Sequence, residues 1–251
     1  MKIRVIDTGE GTGSWNMAVD ESLLDSELPV LRFYTWDKPT ISLGYFQKSE
    51  EANLSFIRER DLGLVRRLTG GKAVLHHREL TYSMIFTEEF IPGSVIETYR
   101  AISVCLTEGL KALGVPAVMM KKDTGPVAAG NCFESISWYE IAAEGKKLVG
   151  SAQTRRRGKV LQHGSIILDW DRELIAGCFR DYSPEEQPAS AVKDFLTEIP
   201  GTETIREVLT RSITEGLKAD RTDSELTGRE KETAEKLDRE RYASPEWTLR
   251  R

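Results

Sequence analysis

Cys132 has the surroundings of a reactive thiol. It follows a loop rich in glycine and proline, and no apolar periodicity surrounds it. Cys105 belongs to an apolar helical stripe and Cys178 to the apolar run 174–179, so we expect both to be core thiols. A loop thiol close to cations ionises more readily and can act as a nucleophile. The setting alone leaves a structural role for Cys132 open beside the catalytic one.

A pair of lysines, Lys146 and Lys147, stands at a predicted hairpin turn, and the small residues of 150–152 follow. Neighbouring side chains of a strand point to opposite faces, so at most one of the two can face a given site. The small residues suggest a tight channel along the backbone with a lysine aimed along it. A lysine-tipped hairpin without a catalytic role explains the spacing equally well.

The pair Gly70–Gly71 lies between two predicted strands. Because neither residue has a Cβ atom, the backbone there can approach a ligand closely. The flanking cations Arg66, Arg67 and Lys72 would offer donors to a phosphate or a carbonyl oxygen. The spacing matches neither a P-loop nor a dinucleotide fingerprint, and a plain hairpin turn is the alternative interpretation.

Three histidines, His76, His77 and His163, complete the set of reactive side chains. Adjacent His76 and His77 would point to opposite faces of a strand, which disfavours a shared metal ion. The sequence also contains no metal-ligand spacing of histidine and carboxylate. A cysteine–histidine dyad through His76 or His163 stays open, and hydrogen bonding within the fold is the simpler role.

Composition limits the class of protein that must position these residues. The 251 residues include 35 basic and 40 acidic side chains, a net charge of −5, with 39% apolar and 30% charged residues. This balance predicts a soluble globular protein and disfavours a membrane, collagen-like or disordered chain, and a nucleic-acid partner.

We find no signal peptide. Three cysteines without a CxxC pair fit reduced thiols in the cytoplasm.

Strand signals dominate the first two thirds of the chain. Predicted strands are 2–7, 29–36, 40–46, 63–68, 71–76, 80–87, 137–144, 147–155 and 159–168. Predicted helices cover 14–27, a segment from Ser49 to about 61, and a segment from the capping box Ser94–Glu97 to about 113. From about residue 170 the pattern is helical, with further capping boxes at Ser183, Thr204 and Thr227. The expected class is therefore α+β.

Six segments, in order, resemble the lipoate–biotin protein ligase and octanoyltransferase superfamily. They are 16–21, 31–36, 42–47, 66–76, 145–152 and 242–247. One such motif would be weak, but six in the right order span most of the chain. The resemblance implies one BPL/LPL-type, class II synthetase-like catalytic domain over residues 1–251, with mixed, largely antiparallel sheets flanked by helices.

Within that superfamily the chain looks most like the Gram-positive-type octanoyltransferases. The motifs that carry this resemblance are 71–76, 79–83, 132–140 and the pair 150–153 and 161–166, with Ile136 where the pattern has proline. The resemblance implies transfer of an octanoyl group from octanoyl-acyl carrier protein to a lipoyl-domain lysine. The acceptor would be the glycine-cleavage H protein or a dehydrogenase E2 subunit. No nucleotide, metal or organic cofactor is expected.

The resemblance also assigns roles to residues. It implies that Cys132 forms a thioester acyl-enzyme and that Lys147 is the catalytic lysine, which as an ammonium favours the thiolate or, when neutral, takes a proton. Backbone N–H groups of Gly150, Ser151 and Ala152 would donate to the oxyanion. The remaining expected substrate-binding residues are Gly44, Arg66, Gly70, Gly71, Lys72, His76, His163 and Gly164.

A cluster of basic residues adjoins the expected site, and we call it the basic patch. Residues 145–160 contain six cations and no acidic side chain, namely Lys146, Lys147, Arg155, Arg156, Arg157 and Lys159. Such a patch could steer acidic carrier proteins or lipoyl domains, although a solvated hairpin tip is the alternative.

Three other functions fit parts of the same pattern. An ATP-dependent lipoate ligase commonly has Asp after the motif histidine, where this chain has His77, and an accessory C-terminal domain. An amidotransferase would move octanoyl between lipoyl domains. A non-catalytic paralogue would only bind a lipoyl domain or an acyl chain.

Overall fold

The structure of the protein is a computed structural model that describes residues 1–121, 139–179 and 189–251. Cys132, the loop before it and Ile136 lie outside the described residues, and so does the predicted capping box at Ser183. The predicted lysines, glycines and histidines all lie within them. The contacts of these lysines, glycines and histidines define the candidate site.

Strands supply the platform of the fold. The described residues form β1 (Lys2–Gly11), β2 (Val30–Trp36), β3 (Thr40–Leu43), β4 (Gly63–Arg66), β5 (Val74–His76), β6 (Glu79–Thr87), β7 (Ala117–Lys121), β8 (Tyr139–Ala143), β9 (Lys146–Arg156), β10 (Lys159–Ile167) and β11 (Asp220–Asp223). Eight of them make one large sheet in the order β11-β1-β2-β6-β10-β9-β8-β7. Its pairs are antiparallel from β2 to β7 and parallel on both sides of β1. A small sheet, β4-β3-β5, stands beside it.

Helices cover the sheets. They are α1 (Gly13–Ser22), α2 (Leu54–Glu59), α3 (Val95–Ala112), α4 (Arg172–Cys178), α5 (Thr202–Gly216), α6 (Gly228–Leu237) and α7 (Pro245–Thr248). Short 3₁₀ turns occur at Leu23–Asp25, Ser49–Glu51 and Val192–Asp194, and a π turn, Asp238–Tyr242, follows α6. Among the described residues, no helix combines the length and apolar character that a membrane crossing needs.

The large sheet has a different neighbour on each face. Alternate residues of β2 show the division: Leu31 and Phe33 pack into the core under α3 and α5, whereas Arg32 and Tyr34 point toward α1. Two buried clusters result, one on each side of the sheet, and a third joins the small sheet to α2 and α4. The face toward α1 and the small sheet is the polar one, and it carries the site.

Several predicted helix starts are confirmed and two are wrong. The capping boxes at Ser94 and Thr227 are present with both of their hydrogen bonds. Thr204 is not a cap, because α5 begins two residues earlier after Gly201. Ser49 does not cap a helix either: its hydroxyl donates to the carbonyl of Arg251, and Asn53 caps α2.

Two strands were not predicted. β7 follows α3 directly, and β11 lies in the segment that was predicted to be helical, where it pairs with β1. All four residues of β11 are polar and exposed. An edge strand of this kind has no apolar alternation that a sequence pattern could detect.

Candidate active site

A β-bulge places Lys147. Ile141 of β8 pairs with Val149 of β9, but its neighbour Ala142 pairs with Lys147, so Leu148 is an extra residue on β9. Bulges of this kind re-aim a side chain next to a functional site. The ammonium of Lys147 lies 3.0 Å from Glu140 Oε1. The exposed side chain of Lys146 is directed elsewhere, as strand alternation predicts.

Gly150 lies beneath the lysine. A Cβ atom at this position would lie 3.3 Å from Lys147 Cε. That distance is tighter than an ordinary van der Waals contact, so glycine leaves the room that the aliphatic stem of the lysine occupies. The small residue at position 150 therefore has a packing reason, and the channel along the backbone stays a prediction.

Strand register separates the predicted residues between two faces of the sheet. Gly150 lies opposite Ser165 of β10, and Ala152 lies opposite His163. Directly opposed residues share a face, so these positions line the polar face. Ser151 lies on the other face, where its Oγ is 2.8 Å from the hydroxyl oxygen of Tyr82. Gly164 lies on that face too, and a Cβ there would come within 2.7 Å of Tyr82 Cε1. Ser151 and Gly164 thus contribute backbone, not side chains, to the polar face.

The guanidinium of Arg67 organises the glycine loop. Its Nη2 donates to the carbonyls of Gly70 and Lys72, both at 2.8 Å. Its Nε donates to Thr69 Oγ1 at 3.1 Å and its Nη1 to Ser42 Oγ at 3.1 Å. Burial lowers the pKa of Arg67 to about 10, so the group remains a cation at neutral pH. The loop is therefore fixed by one buried charge.

The three predicted glycines meet at this loop. A Cβ on Gly44 would clash with the carbonyl oxygen of Gly71, so glycine is required there. Gly71 has φ of +91°, a left-handed conformation that favours glycine. A Cβ on Gly70 would meet nothing within 4 Å, which leaves its backbone open to a ligand.

His163 belongs to a network of hydrogen bonds that runs from Thr69 through His163 to Asp20. We call it the closed chain, because both oxygens of the Asp20 carboxylate at its end have partners. Its Nδ1 donates to Asp20 Oδ2 at 2.9 Å, and its Nε2 lies 2.7 Å from Thr69 Oγ1. Asp20 Oδ1 accepts from Arg32 Nη1 at 2.6 Å, and Oδ2 accepts from the Tyr34 hydroxyl. Burial would raise the pKa of Asp20, but Arg32 and His163 outweigh it and hold that pKa below its ordinary value. Every oxygen of the carboxylate has a partner.

His76 belongs to a second chain, the open chain. Its ring stacks on Trp36 with centroids 3.9 Å apart, and its Nε2 lies 2.8 Å from Ser42 Oγ. Burial lowers the pKa of His76, so the ring is neutral at pH 7. The Ser42 hydroxyl also accepts from Arg67 Nη1 at 3.1 Å. The other ring nitrogen, Nδ1, faces Glu79 Oε1 at 3.7 Å, which is beyond hydrogen-bond distance, and among the described residues Nδ1 has no hydrogen-bond partner.

The open chain ends at a cavity of about 110 Å³. Its polar lining includes Glu79, Lys147 and Ser165, and its apolar walls are Val74, Leu75, Ile167, Trp170 and Ile175. Among the described residues, Glu79 Oε2, Ser165 Oγ and Trp170 Nε1 are buried without a hydrogen-bond partner. Unsatisfied buried polar atoms of this kind call for a partner, which an ordered water or a ligand would supply.

Arg66 and Lys72 differ from their predicted roles. Arg66 is fully buried, and its guanidinium donates to the backbone carbonyls of Gly44, Gln47 and Thr248. Arg66 therefore anchors the segment around α7, and the carbonyls it binds belong to the protein instead of a substrate. The side chain of Lys72 is exposed, and only its carbonyl takes part in the glycine loop.

Glu79 and Asp20 are polar site residues to which the sequence analysis gave no role, although both lie inside segments that carry the family resemblance. Arg67 was expected to donate to a ligand, and in the structure it donates to the carbonyls of the glycine loop instead. The available signal was the polar alternation of β6, where Glu79, Thr81 and Ser83 occupy every second position. Those three residues share the face that Ser165 and His163 occupy on β10.

Known proteins share this architecture and much of this sequence. Residues 12–215 match the family model of the lipoyl protein ligase A/B catalytic domain. The octanoyltransferase LipM of Kyrpidia tusciae is 42% identical, with 99% of this chain and 98% of the relative aligned. The octanoyltransferase LipM of Symbiobacterium thermophilum is 40% identical, with the same coverage.

Two solved structures share the fold. Lipoate-protein ligase A bound with ATP superposes with a TM-score of 0.85 and 25% identity over 99% of each chain. A bipartite lipoate protein ligase of Thermoplasma acidophilum superposes with a TM-score of 0.80 and 22% identity, over 99% of this chain and 95% of that one. The expected α+β architecture of mixed sheets flanked by helices is confirmed.

Proposed function

The chain belongs to the lipoyl protein ligase A/B catalytic domain family, and from that membership we propose that it is an octanoyltransferase of lipoate biosynthesis. The observation that carries the proposal is full-length identity of 37–42% to eight relatives named octanoyltransferase LipM. Identity to the ATP-bound lipoate ligase is lower, at 25%. The transferase is therefore favoured over the ligase.

The first half-reaction in this proposal loads the enzyme. The thiolate of Cys132 attacks the octanoyl thioester of acyl carrier protein, and the carrier thiol leaves. Exchange of one thioester for another is nearly isoenergetic, so the enzyme-bound acyl group stays reactive. The cation of Lys147, held by Glu140, supports this step because a nearby positive charge stabilises a thiolate and an oxyanion.

The small residues of β9 are the proposed source of backbone donors for the oxyanion. Gly150, Ser151 and Ala152 follow directly on the residues of β9 that pair with β8, and Lys147 lies beside Gly150. In this proposal, backbone N–H groups of the segment donate to the thioester oxygen. The position of Lys147 beside the segment supports this role.

Burial of the acyl chain supplies binding energy. An octanoyl group has seven carbons beyond its carbonyl, and at about 0.8 kcal/mol for each buried methylene its burial contributes roughly 5 kcal/mol. The half-buried backbone at Gly70 offers a wall for this chain, because no neighbouring atom lies within 4 Å of where its Cβ would be.

The second half-reaction transfers octanoyl to a lysine of a lipoyl domain, from the H protein or an E2 subunit. The amine attacks the enzyme thioester, and formation of the amide is downhill. We place this reaction in the cytoplasm, in agreement with the free thiols of Cys105 and Cys178. The acidic partners would meet the basic patch.

Only part of the basic patch is free for that contact. Arg155 donates to the Gly93 carbonyl and to Thr98 Oγ1, and the ammonium of Lys159 donates to the Ser26 carbonyl. Arg157 and Lys146 are exposed. We therefore assign the docking role to Arg157 and Lys146.

The test of this function is transfer without ATP. The purified protein is incubated with octanoyl-acyl carrier protein and a lipoyl domain, and the lipoyl domain is weighed by mass spectrometry. The proposal predicts one octanoyl group on the lipoyl domain. Absence of transfer, together with ATP-dependent attachment of free octanoate, would identify a ligase instead.

A further inference from the structure

Glu79 is a buried carboxylate at the boundary of the two sheets. The turn between β5 and β6 passes through Arg78, whose carbonyl accepts hydrogen bonds from the backbone N–H groups of Leu168 and Asp169. This turn brings Glu79 beside His76. Glu79 Oε1 accepts a hydrogen bond from Thr81 Oγ1 at 2.7 Å, and Thr81 in turn accepts from Trp36 Nε1 at 2.9 Å. One oxygen of the carboxylate is therefore fixed.

The other oxygen has no partner. Within the described ranges Glu79 Oε2 is buried without a hydrogen bond, and so is Ser165 Oγ on the facing strand. The Glu79 side chain is only 2% exposed. A buried acceptor left without a hydrogen bond is destabilising, and more so when it is charged. A ligand that donates to Oε2 relieves this cost.

The cavity in front of Glu79 suits an alkylammonium group. Its apolar walls would contact methylenes, and its polar lining includes two groups that can accept a hydrogen bond, Glu79 and Ser165, beside Lys147. At about 110 Å³ it is smaller than the roughly 300–1,000 Å³ of an ordinary small-molecule site. It therefore fits a single long side chain with a cationic head, which is the chemistry of lysine.

Lys147 already has a partner in this geometry. Its Nζ forms an ion pair with Glu140 Oε1, and an ammonium donates hydrogen bonds but accepts none. Free lysine has an ordinary pKa of about 10.4, so only about one in 2,500 acceptor side chains is a neutral amine at pH 7. A group that removes the proton is needed close to the reacting nitrogen.

We propose that Glu79 is a catalytic residue that binds the ε-ammonium of the acceptor lysine at Oε2 and removes its proton. This inference rests on the proposed function, since it concerns the acceptor of that same transfer. Ser165 Oγ is the second acceptor for the ammonium. Lys147 also lines the cavity, and its Nζ is paired with Glu140 Oε1.

The step balances without a further reactant. One proton moves from the acceptor ammonium to Glu79 Oε2, and the nitrogen lone pair then attacks the thioester carbonyl. The C–N bond forms, the C–S bond breaks, and the second nitrogen proton goes to the leaving sulfur. The products are the amide, a thiol and protonated Glu79, which returns its proton to water.

Several charged and titratable groups surround Glu79. They are His76 and His77 at the end of β5, Tyr34 on β2, Lys147 on β9, and Asp169 and Asp171 after β10. Asp169 already pairs with Arg78 and Lys193, and Asp171 caps α4. Of these three carboxylates, Glu79 is the one with a buried oxygen that has no hydrogen-bond partner among the described residues.

The experiment compares two nucleophiles in the Glu79→Gln variant. Octanoyl transfer from the carrier protein is measured to a lipoyl domain and to hydroxylamine, which brings a neutral nitrogen at pH 7, with the uncatalysed reaction subtracted. We expect transfer to the lipoyl domain to fall roughly 10²–10³-fold at pH 7, the range for loss of a positioned base. It should recover as the pH rises toward the pKa of lysine. Transfer to hydroxylamine should change less than twofold.

Two control variants and the contrary outcomes distinguish a catalytic role of Glu79 from a structural one. Glu173→Gln makes the same charge change at an exposed position of α4 and should leave both rates unchanged. Glu79→Asp keeps a carboxylate and should recover part of the lysine-directed rate. Equal loss with both nucleophiles would mean that Glu79 is structural, and an unchanged lysine-directed pH profile would also overturn the proposal. Failure of the wild-type protein to transfer octanoyl at all would instead refute the proposed function.

Discussion

The closed and open chains have the same parts and different ends. In each, a hydroxyl held by Arg67 hydrogen bonds to an imidazole Nε2, and the imidazole Nδ1 faces a carboxylate. The closed chain ends at Asp20, whose oxygens bind His163, Arg32 and Tyr34. The open chain ends at Glu79, which keeps one oxygen free within the described residues.

The difference indicates which end is available for chemistry. A fully satisfied network fixes the fold and has no capacity left for a ligand. The open chain keeps its capacity at a cavity, and the β-bulge directs Lys147 to the same place. The closed chain thus stabilises the fold, and the open chain is the one available to a ligand. Arg67 hydrogen bonds to both chains.

The largest expected effect follows from removing the cation on the open side. Lys147→Ala should lower the single-turnover rate of octanoyl transfer by roughly 10²–10⁴-fold, whereas Lys146→Ala, its exposed neighbour, should change it only a few-fold. Lys147→Arg keeps the charge and should retain more activity than Lys147→Ala. An inactive Lys146→Ala beside an active Lys147→Ala would mean that the bulge directs the other lysine to the site.

Stability should distinguish the two carboxylates. Asp20→Asn leaves the Arg32 guanidinium uncompensated in the core and should lower the free energy of unfolding by roughly 3–5 kcal/mol. Glu79→Gln replaces a half-satisfied carboxylate and should change it by less than about 1 kcal/mol, or raise it. Urea unfolding with both variants measures the contrast. Similar losses in both would remove the distinction between closed and open chains.

His76 gives the open chain a pH dependence of stability. Burial lowers the pKa of His76 below the ordinary 6.5, so the unfolded chain binds a proton there before the folded chain does. Stability should therefore fall as the pH drops below about 6.5, by at most about 1.4 kcal/mol per pH unit from this group. His76→Gln should flatten the dependence between pH 7.5 and 5.5. An unchanged slope would show that other groups cause it.

The smallest effect concerns the surface. Arg157→Glu should raise the apparent KM for octanoyl-acyl carrier protein by roughly two- to fivefold, as expected for one exposed charge. The increase should shrink at high salt and be absent with a small octanoyl thioester. Lys231→Glu makes the same charge change on exposed α6 as a control. A matching increase in KM for the small thioester would remove the docking role.

Much of the architecture was readable from the sequence because it is local. Alternation predicted the strands around β6, β9 and β10, and the capping boxes at Ser94 and Thr227 marked real helix starts. The family resemblance selected Lys147 and Gly150, which the structure brings to one cavity. A helix start at Thr204 was wrong because Gly201 begins that helix without a side-chain cap.

The polar chains were not predictable because they are tertiary. Asp20 and His163 are 143 residues apart, and Thr69 and His163 are 94 apart. The bulge at Leu148 shifts the pairing of β8 with β9 by one residue. No feature of the amino-acid sequence at this position marks the extra residue. The role of Glu79 depends on a turn between two sheets, so only the three-dimensional structure shows its free oxygen.

Intact-protein mass spectrometry tests the central claim, transfer through an enzyme-bound octanoyl group at Cys132, most directly. Wild-type protein is mixed with octanoyl-acyl carrier protein without ATP, quenched at short times, and then chased with a lipoyl domain. The account predicts one octanoyl mass on the enzyme that hydroxylamine removes and that passes to the lipoyl domain. Cys132→Ser should lose transfer, whereas Cys105→Ala and Cys178→Ala should keep it. Normal turnover by Cys132→Ala, with no enzyme-bound octanoyl mass, would contradict the account.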